Sequence, residues 1–108
     1  MKKIALIICS IILMLPVASM ATPESTSSAN IVMLRPYING SVFIHLDSNI
    51  LCDTTVFLID GGNAGKEVMY SAALAAFMGN KKIRVEALTE TGCIGWGTKL
   101  QSLYLVTE

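Results

Sequence analysis

The stretch "TTVFLIDGGNAGKEVMYSAALAAFMGNKKIRVEAL", residues 54–88, changes its apolar period twice. Thr54 to Ile59 has the β-branched and aromatic composition of a strand, and Asp60-Gly61-Gly62-Asn63 breaks it. Met69, Ala72, Ala73, Ala76 and Phe77 then fall at the i, i+3, i+4, i+7, i+8 spacing of one helical face. Asn63 is placed to cap the start of this helix and Gly79 its end. The small Ala72, Ala73 and Ala76 predict close packing on a sheet. After the helix, Ile83, Val85 and Ala87 alternate with Lys82, Arg84 and Glu86, the pattern of a strand with one buried and one wet face.

Upstream of this unit, "IVMLRPYI" (31–38) reads as a strand whose Pro36 lacks a ladder donor and therefore suits an edge or a bulge. Asn39-Gly40 tolerates the positive φ of a tight turn, and "SVFIHLD" alternates Val42, Ile44 and Leu46 with Ser41, Phe43, His45 and Asp47. These features predict a β-hairpin. Downstream, Lys99 to Val106 reads as the last strand, with Leu100 and Tyr104 on the face opposite Leu103 and Leu105. Apolar residues on both faces predict that one is covered by a partner, which leaves a homo-oligomer open. The order β-β-β-α-β-β predicts a mainly β domain with one helix, a small Greek-key barrel of the oligosaccharide/oligonucleotide-binding (OB) type.

The N-terminus carries Lys2 and Lys3, an apolar run from Ile4 to Leu15 and a Ser19-Met20-Ala21 ending, which together predict a secretory signal peptide over residues 1–21. The apolar run is shorter than the roughly 20 residues a spanning helix needs, so no membrane span is expected. Cleavage near Ala21 leaves 87 of the 108 residues and predicts a periplasmic or secreted product. Residues 22–30, rich in Ser and Thr, are expected as a flexible leader, and residues 31–108 as a single domain. Without Lys2 and Lys3, six basic residues face eight acidic ones, a net −2 with no basic cluster, which argues against nucleic acid as a partner.

Of three cysteines, Cys52 and Cys93 survive cleavage, and an even pair in a short exported chain predicts a Cys52–Cys93 disulfide. A metal site lacks ligands, because the chain has a single histidine, His45. No cofactor is expected. Catalysis lacks a pattern as well: there is no nucleophile elbow, "DGGNAGK" lacks the ending of a phosphate loop, and nothing joins Asp47, Asp53, Glu86 or Glu90 into a carboxylate pair. A non-enzymatic secreted binding module for a glycan or protein ligand is the leading expectation. The alternative is a periplasmic inhibitor or immunity-type protein.

The hairpin, the cysteine before strand three, "MYSAALAAFMGNKKIRV", "CIGWG" and the closing strand resemble a group of small uncharacterised secreted proteins of Gram-negative bacteria. The stretch "RVEALTETGCIGWGTKLQSLYL" (84–105) resembles part of the B subunits of pentameric bacterial toxins, of the enterotoxin and the subtilase or pertussis-like types. That second resemblance implies an OB barrel with a disulfide and a tryptophan that stacks on a sugar, here Trp96. The chain departs from it in the short Thr91–Cys93 spacing and in lacking an N-terminal helix with a half-cystine, a role that falls to Cys52. From the residues alone, two roles stand for Trp96. The favoured one is a plug, tucked over the barrel end by the bends at Gly95 and Gly97; the other is an exposed ligand platform.

Overall fold

The computed structural model describes residues 23–107, and the predicted signal peptide over residues 1–21 lies outside them. Five strands and one helix follow in the expected order: β1 Ala29–Pro36, β2 Val42–Leu46, β3 Val56–Ile59, α1 Lys66–Met78, β4 Lys82–Ala87 and β5 Thr98–Val106. The strands close into a barrel in the order β1-β2-β3-β5-β4. All pairings are antiparallel except β3 with β5. This is the OB-like architecture, with the helix between the third and fourth strands.

Alternation decides the core. Val42, Ile44 and Leu46 of β2, and Ile83, Val85 and Ala87 of β4, point inward and are buried. Met69, Ala73 and Ala76 of α1 join them, so the helix contributes its smallest side chains to the barrel interior. The buried arc is narrower than the sequence pattern suggests, with Ala72 half-buried and Phe77 exposed. On the other side of α1, Val68, Leu74 and Met78 stand in solvent.

The helix ends at the expected cap, Gly79, but starts differently from expectation. Asn63 is not the N-cap: Gly65 is, with no side-chain bond, while Asn63 Oδ1 accepts the Gly65 N–H at 2.8 Å and closes a turn just before the helix. Gly79 is the C-cap but stays right-handed, and Asn80 takes the left-handed position with φ 52°. Lys81 N–H then donates to Ala76 O at 2.8 Å, the Schellman arrangement with Asn in the place glycine usually fills.

The last strand needs no partner to explain its mixed pattern. Its register against β4 shifts between Glu86 and Ala87, so that Ala87 faces Leu100 and Glu86 faces Ser102. Gln101 is the extra residue of this bulge, and it moves the inward face from Leu100 to Leu103. Gln101 also secures the bulge, accepting from Thr89 N–H at 3.0 Å and donating to Glu86 Oε1 at 3.1 Å. Leu105 alone of the four remains exposed.

The segment expected as a flexible leader is tied down over much of its described part. Ser25 N–H donates to Val85 O, Val85 N–H donates to Ser25 Oγ, and Ala87 N–H donates to Pro23 O, all at 2.8–2.9 Å. Ser25 is buried. Because β1 itself pairs with β4 only at Ala29 and Asn30, these bonds lengthen the seam that closes the barrel. Tyr104 Oη adds a 2.7 Å bond to Glu24. Among the described residues no helix is long and apolar enough to cross a membrane.

Candidate functional site

Three elements bring aromatic rings together on the outside of the barrel. The alternation that sends Ile44 inward sends Phe43 outward, between Arg35 of β1 and Leu58 of β3. Tyr37, in the β1–β2 loop (37–41), meets Phe43 edge-on with ring centroids 5.3 Å apart. Trp96, in the β4–β5 loop (88–97), lies on the other side of Phe43 at 5.0 Å and a tilt of 35°. The Arg35 guanidinium stands 5.6 Å from the Tyr37 ring centre, a cation–π contact. Phe43 is half-buried by its neighbours, whereas Trp96 is 60% exposed and Tyr37 42%.

The exposed Trp96 corrects the expectation of a plug. The barrel has other closures: Met69, Ala73 and Ala76 fill it from the helix, and Ile50, Leu51 and Cys52 of the β2–β3 loop pack against the core. These residues close the barrel without the indole. The predicted Cys52–Cys93 disulfide is present, with Cα atoms 5.1 Å apart, and it joins the β2–β3 loop to the loop that carries Trp96.

The loop around Trp96 is fixed from within. Thr98 is fully buried, and its hydroxyl accepts the Ile94 N–H at 3.1 Å and donates to Gly95 O at 2.7 Å. Thr98 N–H reaches the same Gly95 carbonyl at 3.0 Å, and Gly97 N–H donates to Val56 O at 3.0 Å. Gly97 has φ +80°, and a Cβ there would sit 3.3 Å from the Phe43 ring. Glycine at 97 thus answers two needs at once, a left-handed backbone and close approach to Phe43. The indole is presented on a hydrogen-bonded turn, with Phe43 as its backing.

His45 follows Phe43 in the outward register, half-buried beside Met33 and Val56. Its Nε2 is enclosed without a hydrogen-bond partner among the described residues. Burial lowers its pKa, and the nearby Arg35 charge adds to the effect. Both effects disfavour the charged form of the imidazole. Three of the four candidate carboxylates are engaged locally: Asp47 accepts from Asn30 N–H, Asp53 from Asn49 and Glu86 from Gln101. Asp60 pairs with Lys99 at 3.3 Å, and its pKa is lowered by the Gly62 N–H first and by Lys99 second. In "DGGNAGK", Gly61 packs against the β1–β2 turn, where a Cβ would collide with Asn39 O, and its N–H donates to Ser41 Oγ at 2.9 Å. That loop is a brace for the hairpin.

Of the site residues expected from sequence, Trp96 lies on this surface, and the disulfide anchors its loop from behind. Sequence reading missed Tyr37, Phe43 and Arg35. The one signal was Phe43 itself, an aromatic ring in the polar register of an alternating strand. Compared with known proteins, the chain matches no family model, no curated protein and no solved structure.

Proposed function

We propose that this domain is a non-enzymatic binding module of the periplasm or the extracellular space, and that the Tyr37–Phe43–Trp96 surface is where it holds its ligand. The carrying observation is that the chain's one tryptophan stands 60% exposed on a turn locked by Thr98 and backed by Phe43. Leaving a large ring in water is unfavourable by about 25 cal/mol per Å² of apolar surface, so a rigid support beneath it favours a surface that is covered in use. The position agrees, because OB barrels bind ligands over their second and third strands, between the first and last inter-strand loops. The resemblance of residues 84–105 to toxin B subunits, whose tryptophan stacks on a sugar, adds support for a glycan. The disulfide is compatible with an oxidising compartment.

One observation favours the second reading, an inhibitor or immunity-type protein that docks on a partner enzyme. Trp96 lines none of the three depressions described on the surface, and Ile38 and Ile94 on the same two loops are exposed as well. An open apolar surface with Trp, Tyr and Arg has the composition of a protein-binding hot spot. Fluorescence titration against glycan and peptide arrays tests the proposal, because the sole tryptophan reports any ligand that covers it. A bound ligand that shields Trp96 from acrylamide supports the module; a ligand that binds without changing Trp96 emission or quenching places the site elsewhere.

A further inference from the structure

A cavity of about 310 Å³ opens between the β1–β2 loop and the first turn of α1, walled by Pro36, Val42, Tyr37 and Tyr70 and rimmed by Lys66 and Glu67. Tyr37 belongs to both this cavity and the aromatic surface, so the two form one track from Tyr70 through Tyr37 and Phe43 to Trp96. We propose that this track receives an extended polypeptide segment of a partner, with an apolar side chain in the cavity and an adjacent carboxylate between Lys66 and Arg35. The proposal rests on the reading of the Trp96 surface as a binding site and names the class of partner.

Size and charge carry it. Small-molecule sites span roughly 300–1,000 Å³, so a volume at the lower end has room for an anchoring side chain. Its walls are a proline, a valine and two tyrosine rings, which suit an aliphatic or aromatic group. Lys66 is half-buried at the rim and lies over Gly40, yet it forms no ion pair among the described residues. Arg35 lies against the Tyr37 ring and likewise has no carboxylate partner among them. Lys66 on the cavity and Arg35 against Tyr37, which lines it, are together complementary to an acidic group next to an apolar one. Glu67, the one anion on the rim, lies in the first turn of α1, where a negative charge favours the helix, and its carboxylate is an acceptor for a backbone N–H of the segment.

The test uses the oxidised protein on an array of synthetic hexapeptides that pair an apolar residue with Asp or Glu, with Lys-substituted and scrambled controls, and on a glycan array in parallel. Apolar–acidic peptides are expected to be enriched over both controls and to shield Trp96. Lys66→Gln and Tyr70→Ala are each expected to weaken the best peptide about tenfold, with circular dichroism and the thermal midpoint showing that the fold is retained. If peptides shield Trp96 but both variants bind within about twofold of the parent, the cavity is excluded and the Trp96 surface stands. Selection of glycans alone overturns the polypeptide class and again leaves the surface standing. If nothing on either array alters Trp96 emission, the surface itself fails as a binding site.

Discussion

Where α1 meets the barrel and where Trp96 meets solvent, the apolar residues are sorted against their size. Ala73 and Ala76 are completely or almost completely buried, while the largest side chain of the domain stands outside. The distance between backbones decides this. A helix that approaches a five-stranded barrel closely leaves room for methyl groups, and Phe57, Ile44, Ile59, Ile83 and Leu100 fill the remaining interior. An indole would force the helix away. Core space in a domain this small is allotted by backbone approach, so a large ring outside the core points to use at the surface rather than to a packing fault.

The largest expected effect tests whether the Trp96 loop depends on its covalent tie. Cys93→Ser opens a constraint between residues 41 apart and is expected to cost roughly 2–5 kcal/mol in denaturant unfolding. Ligand binding at the Trp96 surface should weaken with it. Next, Ala73→Leu is expected to lose roughly 1–3 kcal/mol through overpacking between α1 and the barrel. A change in midpoint near zero would break the comparison at its buried side. At the seam, Ser25→Ala leaves the inward-lying Val85 N–H without its acceptor, and about 1–3 kcal/mol should be lost. Faster amide exchange along β4 would accompany that loss.

His45 supplies a smaller effect that depends on pH. Its folded pKa lies below the ordinary 6.5, so the unfolded chain takes up a proton first as pH falls. Stability therefore declines as the solution is acidified below about pH 6.5 and levels off once the folded form is also protonated. In His45→Gln the denaturation midpoint should vary less between pH 7.5 and 5 than in the parent. Smallest of all, Trp96→Ala should change stability by no more than about 0.5 kcal/mol, as is usual for an exposed position. A loss of several kcal/mol would restore the plug and remove the contrast with Ala73.

Much of the scaffold was legible because it rests on local rules. Period two in β2 and β4, period 3.6 in α1, the Asn39-Gly40 turn and the Cys52, Cys93 pair each reported their structure directly. The missed features depend on partners distant in the chain. Ser25 reads as a disordered residue until Val85, sixty positions away, is seen to use its hydroxyl. The face on which each apolar residue of β5 lies is misassigned by simple alternation until the Gln101 bulge is seen to reset it. The site was least legible, because Arg35, Tyr37, Phe43 and Trp96 come from two strands and two loops that only barrel closure brings together. The burial of Trp96 was misjudged for a related reason: the helix and the disulfide loop already closed the space it was expected to fill.

The seam along β4 also fixes how the domain can be held. Pro23 bonds to Ala87 at one end of β4, and Val106 pairs with Lys82 at the other. In the ring of strands, Phe43 lies on β2, but Trp96 stands on the loop that leaves β4 just after Ala87, the end at which Pro23 is bonded. A tether attached at either end of the described chain therefore leaves from the β4 side. On a bead, a sensor chip or a fusion partner, a tether beyond Val106 would leave from the Lys82 end of β4 and keep the aromatic surface directed toward the solution, whereas one before Pro23 would leave from the end where the Trp96 loop begins.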